Sequence, residues 1–334
     1  MTPAPSVIFR VDAEPAIGLG HLARCRTLAS AFTRAGARCS LLTATPDEVA
    51  RRAAGLPVLR LAGPIGSRDD ARETARAARD ASLVVVDGYR FGEAFAEALD
   101  APEVLWIDDG GFEGLRPGRV LNHNLYASAE LYASMDPARL LLGPGYALIR
   151  EEFRSASAAP RRSGPPGRVL VTMGGSDPAG VTAKVLDALS RSGARDSLTV
   201  RALVGELNPR REHLLERTDV DVVVAPPEVA PHMRWADVIV SAAGGTAMEL
   251  CCVGVPAIVV AVADNQVPVA EALARLELAR SLGWHADLRP EAVAGAVEEL
   301  LASPELCERM RARQREIVDG RGPDRVVAAL GAFT

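Results

Sequence analysis

The sequence predicts an α/β protein that contains two doubly wound parallel sheets. Strand-like and helix-like segments alternate through residues 1–154, which is typical of βαβ units. An aperiodic segment rich in Ser, Pro, Gly and Arg follows at 155–168, and the alternation then starts again. A chain of 334 residues is long enough for two domains that each bury a core.

The individual elements are predicted from short β-rich runs and from stretches of helical composition. Strands are expected at 7–12, 39–44, 57–62, 83–87, 104–108, 168–173, 198–204, 220–224, 237–241 and 257–261. Helices are expected at 22–35, 47–54, 69–81, 92–99 and 179–189, and through most of the last forty residues. Ligands of such folds bind outside the carboxyl ends of the strands, so the informative loops are those that follow strands.

Composition excludes several classes of function. The net charge is −5 and no basic run is interleaved with aromatic residues, which argues against nucleic-acid binding. The five cysteines show no C-x-x-C spacing, so neither a disulfide framework nor a thiolate metal site is expected. The first residues do not resemble a signal peptide, and the apolar runs are too short to span a bilayer. We therefore expect a soluble, cytoplasmic protein without membrane insertion.

The first loop of interest connects the first strand to the first helix and ends in Gly18-Leu-Gly20-His21. Gly18 and Gly20 are expected to permit a tight turn and close approach of the backbone to a ligand. His21 at the helix N-terminus could accept a proton from water or a hydroxyl group, or it could simply cap the helix. Ala23 occupies the third glycine position of G-x-G-x-x-G, which disfavours a dinucleotide site.

A second loop, at Gly174-Gly175-Ser176-Asp177, follows a predicted strand and precedes a helix. Backbone N–H groups at such a turn can bind phosphate, and no G-K-[ST] follows that would make it a Walker A loop. The alternative is that Ser176 or Asp177 is an ordinary helix N-cap.

A third loop repeats this arrangement at Gly244-Gly245-Thr246, with Glu249 one helical turn further on. The glycines and Thr246 can present N–H and O–H groups to a diphosphate, and Glu249 can accept both ribose hydroxyls. The alternative for Glu249 is a surface carboxylate in a first helical turn.

Further polar clusters follow other strands. Asn265 and Gln266 offer donors and acceptors suited to sugar hydroxyls. The remaining clusters are Asp87-Gly-Tyr89, Asp108-Asp109, Asn122-His123-Asn124 and Tyr126. The adjacent aspartates are flanked by glycine and indicate a turn rather than a metal site, and no metal is expected.

Several of these motifs together resemble the PseG family. They are Ile17-Gly-Leu-Gly-His21-x-x-Arg24, Leu142-Gly-Pro-Gly-Tyr146 with Arg150-Glu-Glu-Phe153, Gly174-Gly-Ser-Asp177-Pro178, and Asp264-Asn-Gln266. Members of that family are UDP-2,4-diacetamido-2,4,6-trideoxy-β-L-altropyranose hydrolases, grouped with the SpsG-type spore-coat polysaccharide proteins. The motifs occur in the same order over nearly the whole chain.

The resemblance implies a GT-B-like fold, as in MurG, with two Rossmann-like domains facing a central cleft. It implies an N-terminal domain at 1–154 that carries the catalytic histidine, a UDP-binding domain at 168–315, and a C-terminal helix at 316–334 that packs back on the first domain. It also implies metal-independent attack of water on the anomeric carbon of a UDP-sugar, without a cofactor. His21 would be the base, and Asp12, Tyr89 and Asn265 match polar active-site positions of the family.

The sequence departs from the family pattern at two places. Ala243 and Gly245 stand where the family has glycine and serine, and Gly88 stands where a bulkier polar residue is common. The diphosphate contacts and the sugar pocket are therefore expected to differ from those of the family. Because displacement at the anomeric carbon does not distinguish water from another acceptor, a UDP-sugar-dependent inverting glycosyltransferase, acting on a hydroxyl or ring nitrogen of a small-molecule acceptor, is the main alternative. A non-enzymatic nucleotide-sugar sensor is the alternative from another class. The sugar, any acceptor and the oligomeric state stay open.

Overall fold

The computed structural model describes residues 4–13, 19–110, 118–158 and 166–331. The chain divides into two compact units, Met1–Leu148 with Arg321–Thr334, and Ile149–Gly320. Each unit is built on one fully parallel sheet with helices.

The sheet of the first unit has seven strands in the order β3-β2-β1-β4-β5-β6-β7. Every neighbouring pair is parallel. The strands are β1 (Ser6–Val11), β2 (Arg38–Thr43), β3 (Val58–Arg60), β4 (Leu83–Asp87), β5 (Val104–Ile107), β6 (Arg119–Asn122) and β7 (Leu140–Leu142). The helices are α1 (Gly20–Arg34), α2 (Pro46–Arg51), α3 (Arg68–Ala77), α4 (Glu93–Ala98) and, from the end of the chain, α13 (Gly322–Leu330).

The central strands of this sheet are buried on both faces. Val7 and Phe9 of β1 join Val85 of β4 in one apolar cluster, whereas Ile8 and Val84 belong to the cluster on the opposite face. This distribution follows from the two-residue period of a strand, and it explains why β1 and β4 are almost continuously apolar in sequence. The first cluster includes residues of α1 and α13, which pack against each other.

A buried ion-pair network interrupts the apolar run of β1. Arg10 is fully buried, and its guanidinium contacts the carboxylates of Asp12 and Asp70, at 2.7 Å in each case. The guanidinium also lies over the ring of Phe91, 4.8 Å from its centroid. Because a buried charge is costly unless it is paired, these partners are required for Arg10 to occupy the sheet interior.

The sheet of the second unit has six parallel strands in the order β10-β9-β8-β11-β12-β13. The strands are β8 (Arg168–Thr172), β9 (Thr199–Val204), β10 (Asp221–Val224), β11 (Val238–Ala242), β12 (Ala257–Ala261) and β13 (Arg280–Trp284). The helices are α5 (Glu151–Ser157), α6 (Val181–Ser190), α7 (Arg211–Leu215), α8 (Ala230–Trp235), α9 (Gly245–Val253), α10 (Val267–Arg275), α11 (Pro290–Ala302) and α12 (Pro304–Ile317). Val169, Val240 and Val260 contribute to one apolar cluster beneath α6 and α11.

The structure adds elements that sequence patterns did not predict. Strands β6, β7 and β13 were missed, because β6 and β7 have only four and three residues and β13 contains Gly283 and pairs irregularly with β12. The predicted linker at 155–168 begins inside a helix, since α5 extends to Ser157. Residues 159–165 of that segment lie outside the described residues.

Both sheets have a topological switch point, where the strand order reverses. It lies between β1 and β4 in the first unit and between β8 and β11 in the second. Connections that leave neighbouring strands there run to opposite faces of the sheet, which opens a crevice at the carboxyl ends of the strands. The loops singled out in the sequence follow these four strands and also β5, β6 and β12.

Candidate functional site

His21 and Asp87 meet at the switch point of the first unit. His21 lies in the first turn of α1, directly after β1, and Asp87 is the last residue of β4. The imidazole Nδ1 lies 2.7 Å from Asp87 Oδ1. Because an ionised carboxylate can only accept, we assign the proton in this bond to Nδ1, which leaves Nε2 as the proton acceptor. Arg24 Nη2 also lies 3.0 Å from Nδ1, but it donates to Asp87 Oδ1 at 2.6 Å. His21 is 5% exposed.

Arg24 holds the carboxylate of Asp87 from the other side. Its Nε and Nη2 donate to the two oxygens of Asp87, both at 2.6 Å. Burial by itself would raise the pKa of Asp87, but the charge of Arg24 and the interaction with His21 outweigh it and lower the pKa below its usual value. Asp87 therefore stays ionised at neutral pH and can orient the imidazole.

The remaining guanidinium nitrogen of Arg24 binds Asp109, which follows β5. Nη1 lies 2.8 Å from Asp109 Oδ1 and 3.0 Å from Oδ2. Tyr89 and Asn124 donate to the same carboxylate, each at 3.0 Å, and Tyr126 donates to the Asp109 carbonyl at 2.6 Å. Burial opposes ionisation of Asp109, but Arg24 keeps the pKa of this carboxyl well below its ordinary range.

Tyr89 is the most exposed of these side chains, at 67%. Its ring makes an edge-to-face contact with the imidazole of His21, with centroids 4.6 Å apart. Tyr89 therefore combines a polar anchor on Asp109 with an accessible aromatic face beside His21.

His123 extends the cluster from the end of β6. The backbone N–H of Leu148 donates to His123 Nδ1 at 3.3 Å, which places the proton of the neutral ring on Nε2. Burial, reinforced by the positive charge of Arg24, lowers the pKa of His123 to about 4. His123 is therefore a neutral donor near pH 7.

Three further residues were predicted for this site: Gly18, Gly20 and Asp12. Gly20 is the first residue of α1 and does not have a positive φ. The tight turn predicted for Gly18 and Gly20 stays a prediction, because residues 14–18 are not described. No described atom lies within 4 Å of a Cβ built at Gly20. Asp12 is committed to Arg10 and also accepts from the Thr43 hydroxyl and the Ala44 N–H, both at 2.8 Å, and no described contact joins it to His21. Gly18 lies outside the described residues.

The first phosphate-type loop of the second unit follows β8. Gly174 has φ +82°, a conformation that glycine adopts readily. Asp177 accepts from the N–H groups of Val181 and Thr182 at 2.8 and 2.9 Å, so it caps the start of α6. The capping alternative thus applies to Asp177, while Gly174, Gly175 and Ser176 form the loop surface ahead of it.

The second such loop follows β11 and opens α9. Its N-cap is Gly244, and no side chain caps the helix. A Cβ at Gly245 would meet nothing within 4 Å, and Thr246 is half-buried in the first turn. Gln266, after β12, accepts from the Val262 N–H at 3.1 Å and lies close to Gly244. The helix start thus offers N–H groups and the positive end of its dipole to an anion.

Glu249 is an ion-paired carboxylate of α9. Its Oε1 accepts from Arg150 Nε at 2.9 Å, and its side chain is 15% exposed. Burial raises the pKa of Glu249 above its usual value, and Arg150 opposes that shift. The surface-carboxylate alternative is therefore wrong for Glu249.

The predicted residues thus form two groups on different units. His21 and Tyr89 lie together in the first unit. The two glycine loops, with Glu249 and Gln266, follow the carboxyl ends of strands in the second unit. Asn265 belongs to the second unit, where it is exposed.

Sequence reasoning missed the partners of the histidine and of Glu249. Asp87, Arg24 and Asp109 were not assigned to the site, although the i, i+3 spacing of His21 and Arg24 places both on one helix face. Arg150 was identified only as part of the motif Arg150-Glu-Glu-Phe153. Its partner, Glu249, is 99 residues away, and no local pattern predicts that pairing.

The described residues contain neither a cluster suited to a metal ion nor a membrane-spanning helix. In 4–13, 19–110, 118–158 and 166–331, no group of three or more His, Cys, Asp and Glu side chains is arranged to hold a metal ion. Within the same ranges, no helix is both long and apolar enough to cross a membrane.

Most of the second unit matches a known protein family. Residues 169–320 match the glycosyltransferase family 28 C-terminal domain. A curated relative, the spore coat polysaccharide biosynthesis protein SpsG of Bacillus subtilis (strain 168), is 26% identical over 196 residues. That match covers 58% of this chain and 58% of the relative.

Solved structures resemble the chain over almost its whole length. MurG of Acinetobacter baumannii superposes with a TM-score of 0.68 at 16% identity, covering 98% of this chain and 99% of that one. The spinosyn rhamnosyltransferase SpnG complexed with thymidine diphosphate superposes with a TM-score of 0.64 at 18% identity, covering 98% of this chain and all of that one. At these identities the likeness establishes the fold, which is GT-B.

Proposed function

We propose that this chain, which resembles SpsG over 58% of its length and matches the glycosyltransferase family 28 C-terminal domain at residues 169–320, cleaves the anomeric C–O bond of a UDP-sugar and releases UDP. Its GT-B fold supports the proposal. The observation that carries the proposal is the 2.7 Å bond between His21 Nδ1 and Asp87 at the switch point of the first unit. It provides a general base at the place where a doubly wound sheet binds its ligand.

In this reaction His21 is the catalytic base and Asp87 is its positioning residue. A hydroxyl nucleophile gives its proton to His21 Nε2 while its oxygen attacks the anomeric carbon. The bond between that carbon and the diphosphate oxygen breaks, and its electron pair leaves with UDP. Asp87 stays ionised and stabilises the imidazolium as it forms.

The second unit supplies the binding site for UDP in this proposal. The uncapped start of α9 at Gly244, Gly245 and Thr246 would bind the diphosphate. The loop at Gly174, Gly175 and Ser176 would lie beside it at the carboxyl ends of the strands, because β8 and β11 are neighbours. Glu249 would accept the ribose hydroxyls, and Gln266 and Asn265 would meet the sugar or the diphosphate.

The first unit would position the sugar around His21. Tyr89 would place its exposed aromatic face against the sugar ring beside the imidazole. Gly18 and Gly20 would allow the ligand to approach the start of α1. No role in the chemistry is proposed for Asp12, because Arg10 and Thr43 already engage its carboxylate.

We propose water as the nucleophile. His21 is almost fully buried beside Tyr89, which favours the smallest hydroxyl nucleophile. The resemblance to the PseG family supports hydrolysis as well. The match of residues 169–320 to a glycosyltransferase domain supports the second candidate, inverting transfer to a small-molecule acceptor.

The test is UDP release from a panel of UDP-sugars in H₂¹⁸O, followed by mass spectrometry of both products. Hydrolysis at the anomeric carbon places ¹⁸O in the free sugar, whereas attack on phosphorus would place it in the nucleotide and refute the proposed bond cleavage. Tight binding without release in water, with turnover restored by a cell extract, would instead establish the transferase. Binding without turnover under either condition would identify a sensor and refute an enzymatic role.

A further inference from the structure

Glu249 sits in a chain of ion pairs that runs through the second unit. Arg150, at the start of α5, donates from Nε to Glu249 at 2.9 Å and from Nη1 to Glu152 at 2.6 Å. Glu152 in turn accepts from the backbone N–H groups of Val229 and Ala230 at 2.8 and 3.0 Å. Arg150 therefore connects α9 to a carboxylate that is itself fixed at the start of α8.

The geometry of Arg150 limits its own freedom. Its guanidinium lies over the ring of Phe153, 4.6 Å from the centroid, and this ring is fully buried. One face on an aromatic ring and two nitrogens on carboxylates restrain the orientation of the guanidinium, although the side chain is 36% exposed. It can therefore hold the carboxylate of Glu249 in one rotamer.

Only one oxygen of Glu249 is used by Arg150. The bond goes to Oε1, and a carboxylate offers about four lone-pair sites, so acceptor capacity is left for two ligand hydroxyls. Vicinal hydroxyls need a carboxylate that is both ionised and fixed, since two bonds form together only in one orientation.

We propose that Arg150 is the positioning residue for ribose recognition, holding the carboxylate of Glu249 oriented toward the vicinal 2′- and 3′-hydroxyls of the nucleotide. This inference rests on the proposed function, because it assumes that Glu249 contacts the ribose. It adds a basis for discrimination between ligands. Arg150 does not touch the nucleotide, but by positioning Glu249 it lets the site select a ribonucleotide.

The test combines a change in the protein with a change in the ligand. Binding of UDP and of 2′,3′-dideoxy-UDP is measured by calorimetry for wild type, Arg150→Met and Arg150→Lys. Arg280→Met is the matched control, because it removes another Arg–Glu pair of the same unit, with Glu299, at the amino end of β13.

Wild type is expected to prefer UDP by about tenfold or more, as for hydrogen bonds to a charged group. Arg150→Met should reduce that preference to about threefold or less, mainly by weakening UDP. Arg150→Lys should recover part of the preference, because an ammonium can still pair with Glu249, and Arg280→Met should match wild type.

The pH dependence provides a second readout that a merely structural role would not change. The charged and titratable groups around Glu249 are Arg150, Glu152 and Cys252. Burial raises the pKa of Glu249 and Arg150 lowers it, so removing Arg150 raises it further. The preference for UDP disappears as Glu249 is protonated, and in Arg150→Met this loss should occur at higher pH than in wild type.

Four outcomes would overturn the inference. Arg150→Met could retain the full preference for UDP, or it could weaken both nucleotides equally, which would mean that Arg150 acts elsewhere on the ligand or on the fold. Failure of wild type to bind UDP at all would refute the proposed function itself. Tight UDP binding with no preference over the dideoxy ligand would refute only the role given to Glu249 and Arg150.

Discussion

Replacement of His21 by alanine separates the chemistry of the site from its stability. Of the four described side-chain hydrogen bonds to the Asp87 carboxylate, His21 supplies one, Arg24 supplies two and the Cys25 thiol supplies one. The carboxylate therefore keeps a bidentate partner in His21→Ala. The free energy of unfolding should fall by about 1–3 kcal/mol, the usual cost of losing a hydrogen bond to a charged group.

The effect on turnover should be much larger than the effect on binding. Loss of a general base lowers the rate by about 10²–10⁴-fold, equivalent to roughly 3–5 kcal/mol of transition-state stabilisation. Affinity for UDP should stay within about twofold of wild type, because nucleotide binding is assigned to the second unit. UDP release from the accepted UDP-sugar measures the rate, calorimetry measures affinity, and urea unfolding measures stability.

His213→Ala is the matched control, since that side chain is 77% exposed on α7 and its ion pair among the described residues is with Glu216. It should leave all three measurements unchanged. The assignment of His21 as the base would be refuted if His21→Ala kept a tenth or more of the wild-type rate. It would also be refuted if the losses in rate and in UDP affinity were equal, because that would indicate a binding role only.

Three further predictions concern stability and pH. Arg10→Met should cost about 3–5 kcal/mol in chemical denaturation, because it leaves the buried carboxylate of Asp70 without its cation; a loss below 1 kcal/mol would mean that the network is dispensable. Gly205→Ala should lower the thermal midpoint, since its Cβ would lie 2.1 Å from the Gly175 carbonyl oxygen, at a cost of about 1–3 kcal/mol; an unchanged midpoint would contradict this close contact. Because the pKa of His123 is about 4 in the folded chain, the unfolded chain binds the proton first as the pH falls. The free energy of unfolding should therefore decrease by up to about 3 kcal/mol between about pH 6.5 and 4. His123→Gln should reduce this pH dependence, and an unchanged pH dependence would assign it to other groups.

Much of the fold followed from local patterns in the sequence. The apolar runs of β1, β4, β8 and β12 are long enough to be recognised, because central parallel strands are buried on both faces. Strands β6, β7 and β13 were not predicted, because short or irregular strands take their conformation from their neighbours rather than from their own composition.

The candidate site residues could be predicted from sequence where they lie in a loop or helix start that follows a strand. His21 and the glycine loops could be picked out because the carboxyl ends of parallel strands bind ligands. Asp12 satisfied the same rule, yet its carboxylate belongs to the ion-pair network of Arg10. Position after a strand selects candidates, and only the neighbouring side chains distinguish a ligand-facing carboxylate from a structural one.

The sequence by itself determined the fold class, the two parallel sheets and the loops that could hold a nucleotide, because these depend on residue spacing within a dozen positions. The tertiary structure alone decided which groups meet. Asp87 reaches Arg24 across 63 residues, and Arg150 reaches Glu249 across 99. The physical reason is the crossover connection: strands that are neighbours in a doubly wound sheet are distant in the chain. The electrostatic partners that orient His21 and Glu249 are therefore set by strand order, which local sequence does not encode.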